Sequence, residues 1–170
     1  MRRLMLLRHA KSDWPEGVAD HERPLASRGR DAAPVIGRYM AGQGLLPDLA
    51  VVSTARRAQE TWKLASANFA MVPTTRPERR LYDATADDLL AVIRQVDRAV
   101  GAVLLVGHNP GLEDLSLRLV GAGNPAEVAR LERKFPTGAL AVLDFDIDGW
   151  EQVAEGCGRL ERFDTPKSMA

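Results

Sequence analysis

Residues 4–14 read LMLLRHAKSDW. Four apolar residues run directly into an adjacent arginine and histidine. An apolar run of this length, bounded by charge, predicts a strand buried on both faces. Two readings of its end follow: a solvated terminus, or a strand whose carboxyl end delivers an imidazole beside a fixed positive charge. The rest of the chain decides between them. DLAVVS (48–53) and AVLLVG (102–107) are two more runs of the same kind. The segments between them have helical spacing. In TADDLLAVIRQV, Thr85 is placed as N-cap with Asp88 three residues on, and Leu89, Val92 or Ile93, and Val96 share one face. RRAQETWKLASA sets Ala58, Thr61 or Trp62, and Ala65 at the same period. AAPVIGRYM is also helical in pattern, with Pro34 expected to kink the helix or delay its start. ALAVLDFDIDGWEQVAEG predicts two strands around a tight turn at Asp148 and Gly149, forming an edge hairpin.

Strands alternating with helices predict a three-layer α/β/α sandwich with a mainly parallel central sheet. A single domain over residues 1–158 is expected, with a patternless tail over 159–170 that is disordered or packs on the surface. The 170 residues, 45% of them hydrophobic, suit one well-packed domain. Twenty-three basic and twenty-three acidic residues cancel. No global field then favours nucleic acid or an anionic membrane, and any attraction for anions is local. The single cysteine, Cys157, excludes an internal disulfide and a multi-cysteine zinc site. No apolar run reaches the roughly 18 residues of a membrane span, and no signal-peptide core is present. A cytoplasmic location is expected.

In a parallel α/β sheet, ligands bind beyond the carboxyl ends of the strands. Arg8 and His9 follow the first run, Ser53, Arg56 and Arg57 the second, and GHNPG (107–111) the third. Two histidines and at least two arginines are thereby aimed at one rim. Arginine forks match phosphate oxygens and keep their charge. A neutral imidazole with one nitrogen held as donor is a nucleophile through the other. A second imidazole can donate to the equatorial oxygens of the transition state. No clustered His/Asp/Glu ligand set is seen, and arginines beside the histidines repel cations, so no metal and no cofactor are expected.

LLRHAKS (6–12), RPLASRGRDAA (23–33), STARRAQET (53–61) and LLVGHNPGLE (104–113), in this order, resemble the motifs of the histidine phosphatase superfamily, the phosphoglycerate mutase-like fold. The short chain, Ala10 after the histidine and HNPGLE are most similar to its SixA-type phosphohistidine phosphatases. The resemblance implies that His9 is the nucleophile that becomes phosphorylated, that Arg8 and Arg57 bind phosphate, that His108 is the second histidine, and that Ser12 lies near the phosphate. Asp83, in RRLYDAT, is the nearest counterpart of the acidic residue that many relatives use as general acid. Ala10 replaces the usual glycine, so a positive φ there would be strained. Pro15 stands where mutase-like members carry an asparagine. The implied activity is a metal-independent phosphatase acting through phospho-His9, on phosphohistidine in a protein or on a small phosphoester. The alternatives are a phosphate-binding scaffold without turnover and a histidine-based metalloenzyme.

Other candidates have plainer readings. Arg56 and His21 are expected on the surface or in a loop, and RPERR (76–80) as a solvated charged face. Arg28 either holds the loop near the site or begins a helix. Trp14, Trp62 and Trp150 are expected to pack, although Trp14 follows the first motif closely enough to line a pocket.

Overall fold

The computed structural model describes residues 1–170. Seven strands form one sheet: β1 (Arg2–Arg8), β2 (Leu49–Ser53), β3 (Thr74–Glu78), β4 (Ala102–Gly107), β5 (Val120–Gly123), β6 (Leu140–Phe145) and β7 (Gly158–Asp164), in the order β3-β2-β4-β1-β6-β7-β5. Pairings are parallel except those of β6, which runs antiparallel to β1 and to β7. The mainly parallel sheet expected from the three apolar runs is present.

Alternation along β1 divides the core in two. Leu4 and Leu6 face one layer, with α3 (Ala86–Arg94), α4 (Gly111–Leu119) and Leu131 of α5 (Pro125–Arg133). Met5 and Leu7 face the other, with α1 (Ser27–Gly42) and α2 (Arg56–Ser66). Thr85 caps α3 through the expected box with Asp88. Edge strand β3 contains Pro77 opposite Val52, and a proline without an N–H belongs at an edge. No helix is long and apolar enough to cross a membrane.

Three expectations are corrected. Helix α1 starts at Ser27 and runs through Pro34, which therefore neither delays nor ends it. Its buried face of Gly29, Ala33, Ile36, Gly37 and Met40 is held by tertiary packing that outweighs the lost hydrogen bond. A Cβ on Gly37 would lie 2.0 Å from the carbonyl oxygen of Ala65, so the glycine sets how closely α1 approaches α2. The hairpin at Asp148 and Gly149 does not form. A 3-10 turn, Trp150–Gln152, stands there instead, with Trp150 fully buried and its indole donating to the Val100 carbonyl at 2.7 Å. The partner of β6 begins only at Gly158, and β6 lies inside the sheet. The segment from Arg159, expected to be patternless, continues β7 with Leu160 and Phe163 in the core, and ends in α6 (Pro166–Met169).

Candidate active site

The site forms where β1 and β4 end side by side. Their register pairs Arg8 with Gly107, so the next residues, His9 and His108, stand together. Their ring centroids are 5.2 Å apart. The His9 amide donates to Gly107, and the amide of Gly138, before β6, donates to the carbonyls of both Arg8 and His9. Beyond β1, the Ala10 amide donates to Thr61 Oγ1 at 3.0 Å, and the Thr61 hydroxyl donates to the Arg57 carbonyl at 2.7 Å. This fully buried threonine ties α2, and with it Arg57, to the loop after β1. Ala10 has no positive φ; among non-glycine residues only Asp83 does, so the alanine carries no strain.

His9 is 6% exposed. Its Nδ1 lies 2.7 Å from the Ala10 carbonyl, which accepts and so fixes the hydrogen on Nδ1. Nε2 keeps a lone pair on the side of the cleft that His9 lines. Burial pushes the imidazole down to about 3 against the effect of that hydrogen bond, and His108, Arg57 and Arg8 add repulsion. His9 is therefore neutral at working pH. Burial, then Arg57, likewise pushes His108 down to about 4, with Asp20 opposing. Ser53 Oγ accepts from the Ala55 amide and lies 2.7 Å from His108 Nε2. A hydroxyl that donates to Nε2 leaves the hydrogen on Nδ1, and that nitrogen is buried with no partner.

A cleft of about 240 Å³ collects Arg8, His9, Ser12, Arg57 and His108, five of the six residues singled out from the sequence. The sixth, Asp83, is exposed and is not in its wall. Arg8 donates to the Phe135 carbonyl at 3.0 Å, and Arg57 to the Asp20 carbonyl at 2.7 Å, yet the Nε of each is buried and unpartnered. Arg56 is exposed and pairs with Glu60, as a surface residue should.

Sequence reasoning missed Arg23 and Asp20. Arg23 is 6% exposed and lines the cleft, donating to Ser12 Oγ at 2.6 Å and to Asp20 Oδ1 at 3.0 Å, with its guanidinium 3.2 Å from the centre of the Trp14 ring. Trp14 is 74% exposed and is a wall of the cleft, not a core residue. The Asp20 carboxylate also accepts from Arg57 and from the Tyr82 hydroxyl. The Tyr82 hydroxyl first, then Arg23 and Arg57, hold it well below the usual carboxylate range. His21 joins this turn through Thr54 and an edge contact with Tyr82. Arg23 lies in RPLASRGRDAA, but nothing in its local spacing shows that it returns to Ser12.

Residues 4–83 match the family model of the histidine phosphatase superfamily (branch 1). A SixA protein of Agrobacterium tumefaciens is 32% identical, with a TM-score of 0.82, over 97% of this chain and 98% of that one. A SixA protein of Nakamurella multipartitia is 29% identical, with a TM-score of 0.84, over 97% and 96%. An uncharacterized protein of Mycobacterium tuberculosis is 37% identical over 163 residues, 95% of this chain and all of that one. Motif order, paired histidines and whole-chain likeness agree: the chain belongs to the histidine phosphatase superfamily, as a phosphatase of the SixA type.

Proposed function

We propose that the chain removes phosphoryl groups from phosphohistidine on a protein, without a metal ion, through a phosphohistidine intermediate on His9. The observation that carries this reading is the wall of the cleft, which presents Arg8, Lys11, Arg23 and Arg57 with two imidazoles and no carboxyl group. Four cations suit a phosphoryl dianion, and each charge-assisted hydrogen bond contributes on the order of 1.5–3 kcal/mol. The absence of a carboxylic acid from the wall suits a leaving group that needs no buried proton donor.

In the first step the Nε2 lone pair of His9 attacks phosphorus while the substrate's P–N bond breaks. Its electron pair returns to the substrate imidazole, whose other nitrogen takes its proton from water. The His9 ring becomes cationic, and the Ala10 carbonyl stabilises it through the Nδ1 hydrogen. In this reading Arg8, Arg57 and the Nδ1 hydrogen of His108 hold the equatorial oxygens. In the second step water attacks phosphorus and the proton it sheds stays on the phosphate. His9 leaves as a neutral imidazole that already has its Nδ1 hydrogen. Asp20, held ionised, cannot act as acid here. The likeness to SixA proteins described as phosphohistidine phosphatases supports the same substrate class.

The test is phosphate release in EDTA from a histidine-phosphorylated carrier protein, with p-nitrophenyl phosphate in parallel and His9→Ala as control. Faster turnover of the carrier, trapped label on His9 and loss of both in the variant are expected. Turnover of the ester alone would move the substrate to small phosphoesters.

A further inference from the structure

A second cleft, of about 470 Å³, adjoins the catalytic one, and Lys11 and Thr137 line both. Its other charged walls are Arg28 of α1, Lys134 from the segment after α5, and Lys167 of α6. None of these four cations makes an ion pair or a side-chain hydrogen bond, and the wall they share contains no carboxylate. In a chain of zero net charge this is a local concentration of positive charge. Arg28 adds to the case. It sits in the first turn of α1, where no acidic residue is present and the helix dipole disfavours a cation. Asp31 lies in the neighbouring depression that Arg28 and Pro166 also line, without pairing to Arg28.

We propose that this basic cleft docks an acidic segment of the substrate protein, next to the phosphohistidine that enters the catalytic cleft. The proposal rests on the protein-phosphohistidine reading above. The four cations come from four different parts of the chain and end in exposed, flexible side chains. That arrangement fits carboxylates spread along a peptide better than one compact anion. The two clefts share a wall, so a single chain can occupy both. Exposed charges of this kind act mainly on association rate and on discrimination between partners, and salt weakens them.

Two synthetic peptides that share one histidine, with four flanking residues Glu in one and Gln in the other, provide the test. Each is used phosphorylated for turnover and unphosphorylated, with a fluorophore, for binding by anisotropy at low salt. The Glu peptide is expected to bind roughly tenfold more tightly than the Gln peptide, the scale of three exposed ion pairs. The combined Arg28→Gln, Lys134→Gln and Lys167→Gln variant should lose that ratio and keep p-nitrophenyl phosphate turnover within twofold. Equal binding of the two peptides, or an unchanged ratio in the variant, would overturn the docking proposal. So would tight binding of tripolyphosphate in place of the Glu peptide, which would identify a small polyanion as the occupant. Turnover measures the catalytic reading separately: hydrolysis of neither phosphopeptide, with charge-dependent binding intact, would refute the phosphohistidine substrate and leave the docking surface standing.

Discussion

Acid should unfold this protein before it protonates His9 in the native state. Folding lowers the imidazole value from 6.5 to about 3 at His9 and about 4 at His108. A depressed histidine stays neutral in the native state while the unfolded chain takes up a proton. The stability is therefore whole above 6.5 and falls as pH drops below it, until the native value is reached. At pH 5 the drop spans about 1.5 units, and at about 1.4 kcal/mol per unit each histidine contributes a loss of about 2 kcal/mol. The pair loses about 4 kcal/mol, a large share of the 5–15 kcal/mol typical of a domain. The depressed carboxylates Asp20, Glu78, Asp88 and Glu151 lose their contribution only below about 4, outside this window. Urea unfolding at pH 7.5 and 5.0 measures the loss in the parent, His9→Gln and His108→Gln. Each variant should recover about half of it. Equal losses in all three would refute the neutral, buried pair.

Three further outcomes follow from the site and its supports. Ser53→Ala removes the hydroxyl that fixes the His108 tautomer and should lower kcat for p-nitrophenyl phosphate roughly tenfold with KM within twofold; an unchanged kcat would remove the serine from the positioning role. Asp20→Asn takes a competing carboxylate charge away from Arg57 and Arg23, so orthophosphate should inhibit p-nitrophenyl phosphate hydrolysis roughly three- to fivefold more strongly. Weaker inhibition would mean that the carboxylate organises the arginines more than it competes with the substrate. Gly37→Ala drives a methyl into the Ala65 carbonyl and should destabilise by about 3 kcal/mol, read from the urea midpoint; a cost below about 1 kcal/mol would show that α1 can shift away freely.

What could be read from the sequence was whatever short-range pattern encodes. LMLL, DLAVVS and AVLLVG became β1, β2 and β4 because continuous apolar runs bury both faces of a sheet. The residues just past them became the cleft because a parallel sheet points those ends at one rim. Long-range contacts were invisible. Arg23 reaches Ser12 by a loop closure that no local period records, and Asp20 meets Tyr82, 62 residues further along the chain. The Asp148-Gly149 turn signal lost to Trp150, whose buried ring and bond to Val100 hold a 3-10 turn. Pro34 misled because helix-breaking rules describe the backbone alone, while Ile36 and Met40 are held by the core. Asp83 came from resemblance only, and it is exposed and outside the cleft wall.

The position of β1 also sets a timetable for synthesis. Leu4 pairs with Val103 on one side and Leu143 on the other. The strand that leads into His9 is made long before either neighbour leaves the ribosome. Until residue 107 has emerged it presents an apolar segment with both edges unpaired, and until residue 145 has emerged one edge stays open, the state in which nascent chains aggregate or recruit chaperones. Pairings so distant in sequence also slow folding. A ribosome-bound chain halted before β6 should thus lack phosphatase activity, although all four of its motifs are complete, and truncation from the carboxyl end should abolish the site before it removes Arg8, His9, Arg57 or His108.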